Sequence, residues 1–133
     1  MKGLLGQKVG MTAIFDEAGR QIPVTVIQTA GNIVVDKKTT ERDGYTALVL
    51  GFGERSTKGI NSPQLGFFKK QGLVTEDDNG RASVKRHLRE FRVDEDTLKS
   101  VSVGDTIKAT DLFNTGDAID VVGTSKGRGF TGV

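Results

Sequence analysis

The chain has no cysteine and no tryptophan, and only one histidine, one tyrosine and two prolines. Without cysteine there can be no disulfide, no thiolate nucleophile and no zinc–thiolate centre. With one histidine, any Ser-His-Asp arrangement would have to use His87, and a multi-histidine metal site cannot be built. No apolar run approaches the ~20 residues that span a bilayer. The opening MKGLLGQKVGM lacks the apolar stretch and small-residue cleavage site of a signal peptide. Scarce proline and the lack of repeated blocks argue against collagen-like or low-complexity sequence. These absences weigh against an enzyme: the expectation is no catalytic residue, no metal and no cofactor. They also fit a reducing, cytoplasmic setting.

Glycine, by contrast, is plentiful: 18 of 133 residues, roughly twice the usual ~7%. Hydrophobic residues other than glycine make up 35%, enough for one ordinary domain with a turn-rich backbone. The net charge is only +2, but it is segregated. Residues 54–92 hold nine Lys/Arg against five Asp/Glu, whereas residues 93–133 hold four against seven. The densest basic run is Lys85-Arg86-His87-Leu88-Arg89-Glu90-Phe91-Arg92. Such a block suits a polyanion, because each phosphate it neutralises releases counterions. Taken alone, it reads equally as a solvated charged face.

Turn signals divide the chain into short strands. Thr12–Phe15 and Gln21–Gln28 flank Asp16-Glu17-Ala18-Gly19, a four-residue hairpin loop with a side-chain acceptor early and glycine last. Ile22, Val24 and Val26 recur at period two, while Pro23 places that strand at an edge or bulge. Ile33–Lys37, Tyr45–Leu50, Thr106–Ala109 and Ala118–Val122 complete the expected strands, the last two separated by Asn114-Thr115-Gly116-Asp117. One helix is expected from an N-cap at Ser62 and Pro63 at the first helical position to Lys69-Lys70, with Gly72 stopping it. Phe67 and Phe68 read as its core face rather than as stacking platforms. Val84, Leu88 and Phe91 fit helical spacing, yet the basic run also alternates; strand is the reading taken. The fold class is therefore all-β dominated, an antiparallel barrel or sandwich, with a small α/β element holding one short helix inserted over residues 54–93. Residues 1–53 and 94–133 supply the remaining strands.

Most motifs fail. Gly51-Phe52-Gly53 begins a dinucleotide fingerprint, but Ser56 stands at the third glycine position. Asp16-Glu17, Asp77-Asp78 and Asp94-Glu95-Asp96 lack calcium-loop spacing and read as solvated turns. His87 reads as an exposed neighbour of Arg86 and Arg89. The C-terminal stretch Gly123-Thr124-Ser125-Lys126-Gly127-Arg128-Gly129-Phe130-Thr131-Gly132 is more informative. Its alternating glycines, cations and hydroxyls let backbone amides and side chains approach phosphates together. It reads also as a flexible terminal loop.

Phe113, Asp120, Gly123, Ser125, Gly127, Arg128, Gly129 and Gly132 stand at the spacing of a family signature. KGLLGQKVGMTAIFDEAGRQIPVTVI at the start, DGYTALVLGFG at 43–53, SPQLGFFKKQG at 62–72 and KRHLREFRV at 85–93 match the same family in order. The sequence thus resembles bacterial large-subunit ribosomal protein L-three. The resemblance implies a barrel of the translation-protein type with a small inserted α/β element. It further implies a non-catalytic protein on the cytoplasmic ribosome that binds large-subunit ribosomal RNA near its 3′ end, touches neighbouring ribosomal proteins, aids early assembly and buttresses the peptidyl transferase region. No membrane and no small-molecule substrate are implied. Ser125, Lys126, Gly127, Arg128 and Gly129 carry over as RNA contacts at the base of a long loop, with Lys2, Lys8, Arg86, His87 and Arg89 beside them. By the same resemblance the loop and the returning strands lie beyond Val133, so the barrel is expected to be incomplete.

Overall fold

A computed structural model describes residues 3–132. Strand accounts for 38% of the described residues and helix for 18%, so the β-dominated expectation holds. The strands fall into two antiparallel sheets. β1 (Gln7–Phe15) and β2 (Gln21–Gln28) form a two-stranded ribbon, with Gly10 opposite Val26 and Phe15 opposite Gln21. The anticipated loop closes it. Asp16 N–H donates to the Arg20 carbonyl at 3.0 Å, the Asp16 carboxylate accepts from Arg20 N–H at 2.7 Å, and Gly19 takes φ 75°. Pro23, opposite Ala13, costs the ribbon little, because each strand has one open edge.

The second sheet has five strands in the order β5 (Thr75–Glu76), β6 (Ala82–Arg92), β4 (Ala47–Ser56), β3 (Asn32–Lys38), β7 (Thr106–Ile107). It is open, with β5 and β7 at its edges. β4 runs from Ala47 to Ser56 rather than from Tyr45 to Leu50, because β6 supplies a partner for it as far as Ser83. The basic run is strand, as taken. Gly51 is where β4 comes closest to its surroundings: a β-carbon there would lie 2.6 Å from Cγ2 of Val35, which is fully buried.

The sheet has an apolar cluster on each face. Val34, Leu48, Leu50 and Val93 join Leu98 of α3 (Glu95–Ser100), with Leu4, Leu5 and Phe91 packed alongside. Val35, Val49 and Val84 join Phe68 of α2 (Ser62–Lys70), with Phe67, Leu73 and Leu88 alongside. A helix therefore seals each side. Phe68 confirms the core reading, while Phe67 remains half-buried. Asn61, not Ser62, is the N-cap residue of α2, so Pro63 sits one residue deeper than expected. The helix ends in a Schellman motif. Gly72 at φ 68° donates to the Lys69 carbonyl at 3.1 Å, and Leu73 N–H to that of Phe68 at 3.0 Å.

Asn32, fully buried, clamps the N-terminal segment to the sheet. Its amide donates to the carbonyls of Leu5 and Thr29, both at 2.7 Å, and its oxygen accepts from Leu5 N–H at 3.1 Å. Every polar atom of that side chain is satisfied, as burial demands.

Several expectations need correction. Thr106–Ala109 is strand only to Ile107, because α4 (Ala109–Leu112) begins two residues on, where the Asp111 carboxylate accepts from Lys108 N–H at 3.1 Å. Ala118–Val122 is not strand: the Asn114–Asp117 turn forms, with Asp117 N–H donating to the Asn114 carbonyl at 3.1 Å, but no ladder partner follows it. Asp94-Glu95-Asp96 is no loop of solvated turns but the N-cap and first turn of α3, where acidic residues oppose the helix dipole favourably. A short α1 (Thr40–Asp43) ends at Gly44, φ 79°.

Candidate nucleic-acid interface

β6 carries three of the expected contacts. Arg86, His87 and Arg89 are all exposed, and strand alternation divides them: Arg86 is on the side of Leu88, His87 and Arg89 on the side of Phe91. The packing agrees, since Leu88 meets the Phe68 cluster and Phe91 the Leu48 cluster. The basic run is therefore two half-faces rather than one basic surface. Among the described residues Arg86 has no carboxylate within ion-pairing range, whereas Arg89 donates to the Leu88 carbonyl at 2.8 Å. Arg92 is already engaged, its guanidinium carbon 4.0 Å from the Tyr45 ring centre. The Tyr45 hydroxyl in turn donates to the Glu90 carboxylate at 2.6 Å, and that bond holds its pKa above the ordinary value.

Ser125, Lys126, Gly127, Arg128 and Gly129 lie in the irregular stretch 113–132, which is exposed from Asn114 onwards. Gly129 and Gly132 adopt φ near 70°, the left-handed region that glycine enters without strain. Among the described residues Lys126 and Arg128 form no ion pair, and their charge is open to a partner. Lys8 is exposed on β1 next to the irregularity between Lys8 and Gly10. Lys2 lies outside the described residues. Arg86, His87 and Arg89 share one strand. Among the described residues no hydrogen bond or ion pair joins Lys8, Lys126 or Arg128 to them.

Sequence reasoning missed a cleft of about 310 Å³ between α2 and β6. Arg55, Lys85 and Arg86 line it from the sheet, Gln64 and Phe67 from the helix, and its lining includes no carboxylate. Lys85 is held at 3.7 Å by Glu54, whose own side chain is 64% exposed. A second cleft of about 300 Å³ shares Phe67 and Leu88 but mixes Lys38 and Arg89 with Asp36 and Glu90. No local pattern reveals the first cleft, because Arg55 meets Val84 only through the long-range β4–β6 register. Among the described residues no group of three or more His, Asp or Glu could hold a metal ion, and no helix is long and apolar enough to cross a membrane.

Chemically, the arrangement is a β-rich scaffold with exposed cations, hydroxyls and glycine-freed amides, groups of the kind that suit an anion of many charges. No protein-family model matches the chain. Curated relatives do. The large ribosomal subunit protein uL3 of Myxococcus xanthus is 47% identical over 133 residues, which is 100% of this chain and 55% of that protein. The proteins of the same name from Pelotomaculum thermopropionicum and Syntrophotalea carbinolica are 49% and 46% identical over 131 and 132 residues. Identity at this level along the whole chain settles the family: these residues belong to the uL3, or L-three, family of large-subunit ribosomal proteins. The chain spans somewhat over half the length of the relatives it matches.

Proposed function

We propose that the chain is a structural, non-catalytic constituent of the large ribosomal subunit, bound to large-subunit ribosomal RNA. The observation that carries this reading is the 46–49% identity, over 98–100% of the chain, to relatives named as large-subunit proteins. The free cations Arg86, Lys126 and Arg128 support it, because phosphate neutralisation needs side chains not already spent on carboxylates. The finer reading follows the family resemblance: contact near the 3′ end of the RNA, a part in early assembly, support of the peptidyl transferase region, and neighbouring ribosomal proteins as further partners, all on the cytoplasmic ribosome. Residues 1–53 and 94–133 would furnish barrel strands and residues 54–93 a basic insertion. In this reading Lys126 and Arg128 are the tail's contacts, with Ser125 and the glycines delivering the backbone.

The test is RNA affinity measured against salt. Lys126→Ala combined with Arg128→Ala is expected to weaken binding and to flatten the slope of log affinity on log salt by about 1.4–1.8, two contacts at roughly 0.7–0.9 each. A slope unchanged by the double substitution would remove these residues from the interface. A wild-type affinity insensitive to salt would remove the RNA reading itself.

A further inference from the structure

We propose that the cleft between α2 and β6 takes one unpaired nucleotide of RNA, with its base against Phe67 and its phosphate between Arg55 and Arg86. The proposal rests on the RNA-binding reading above and adds a specific site to it. Size is the first argument. At about 310 Å³ the space lies at the lower end of ligand-holding clefts, ~300–1,000 Å³. It can admit a flat ring and its sugar, but not a helix.

The walls supply the second argument. Phe67 is half-buried, and its ring is fixed by an edge-to-face contact with Phe68, 5.5 Å between centres at 68°. A ring held in place is a better stacking surface than a mobile one, because little freedom is lost on binding. Gln64 stands on the same helix, exposed, with an amide that both donates and accepts, as the Watson–Crick edge of a base requires. Val84 and Leu88 provide an apolar floor.

Charge is the third. Arg55 and Arg86 line the space and no carboxylate does, so the field favours an anion, although the Lys85 ammonium is already 3.7 Å from Glu54. Among the described residues Arg55 is held only by a long 3.5 Å contact to the Gly59 carbonyl. The neighbouring cleft, with Asp36 and Glu90, lacks this bias. An acidic peptide would answer the charge but leave the ring and the Gln64 amide unused. A nucleotide uses all three.

The experiment compares two RNA hairpins, identical except that one carries a single bulged adenosine, binding to the 133-residue chain at one salt concentration. The bulged hairpin is expected to bind about tenfold tighter, the effect of roughly one base–aromatic stack. Phe67→Leu, which keeps an apolar side chain in the core, and Gln64→Ala, on the exposed face of α2, are each expected to diminish that preference. Neither should change affinity or salt slope for the unbulged hairpin. Equal binding of the two hairpins, or a preference untouched by Gln64→Ala, would overturn the cleft while leaving RNA binding intact. So would competition by oligoglutamate as strong as by oligoadenylate, which would assign the cleft to acidic polypeptide. Binding to neither hairpin would overturn both the cleft and the reading it rests on.

Discussion

Asn32 links two segments that the chain keeps 27 residues apart, since its one amide serves both the N–H and the carbonyl of Leu5. Asn32→Ala would leave those groups and the Thr29 carbonyl without their partner in a partly buried site, where each unsatisfied group costs up to ~1–3 kcal/mol. The expected result is a loss of about 2–4 kcal/mol in urea unfolding, with several-fold faster amide exchange at Leu5 than at Leu50. Tyr45 offers a pH-dependent test. Its hydroxyl donates a hydrogen bond to the Glu90 carboxylate, which favours the neutral phenol and raises its pKa, with desolvation and the Glu90 charge adding to the rise. A raised acid's stabilisation is complete below the unfolded tyrosine value, near pH 10, and disappears as pH climbs through the higher folded value. Unfolding midpoints of wild type and Tyr45→Phe should therefore differ at pH 8 and converge in stronger alkali. A constant difference would mean that the bond carries none of the shift.

At the scale of elements, α2 has one glycine inside it and one just past its end, with opposite expectations. Gly66 lies in the helix interior, with open space where a β-carbon would go, so Gly66→Ala should stabilise by about 0.5–1 kcal/mol. Gly72 closes the Schellman motif at φ 68°, where an L side chain is strained, so Gly72→Ala should destabilise by about 1–2 kcal/mol. Thermal midpoints moving in opposite directions would confirm both. Gly72 was legible in the sequence because positive φ at a helix end is a local requirement. The β1–β2 hairpin was legible for the same reason, its Asp16 and Gly19 acting within four residues. Ala118–Val122 was misread because alternation reports a willingness to pair, not the presence of a partner. α3 was missed although Asp94, Glu95 and Lys99 stand at the right ends, since six residues are too few for periodicity to separate a helix from a turn. The candidate site divides likewise: the basic strand and tail can be read locally, whereas the α2–β6 cleft exists only once Arg55 and Val84 are brought into register.

Taken as a whole, the molecule has its apolar mass unevenly covered. The five-stranded sheet is sealed on both faces, while the ribbon leaves Val9, Met11, Ile14 and Phe15 each more than half exposed. Val122 and Phe130 on the tail are 98% and 100% exposed. Apolar side chains beside open strand edges promote edge-to-edge association. The isolated chain is therefore expected to self-associate with rising concentration in sedimentation velocity, and Met11→Lys with Phe15→Lys should restore a monomer without lowering the urea midpoint.

The edge position of β7 bears on the tail. β4 is laddered on both sides and shielded by both helices, whereas β7 holds the sheet through a two-residue pairing to Asn32 and Ile33, reinforced by Gly104 and Asp105 against Val34. Such an edge is the weakest cooperative unit of a sheet and opens at a fraction of the global free energy. When it opens, α4 and everything after it swing as one arm, and the shared centre of β3, β4 and β6 stays closed. Lys126 and Arg128 stand 14 and 16 residues past Leu112, a contour of several tens of ångströms, so that on the RNA-binding reading proposed above they could search widely from a base that does not have to unfold.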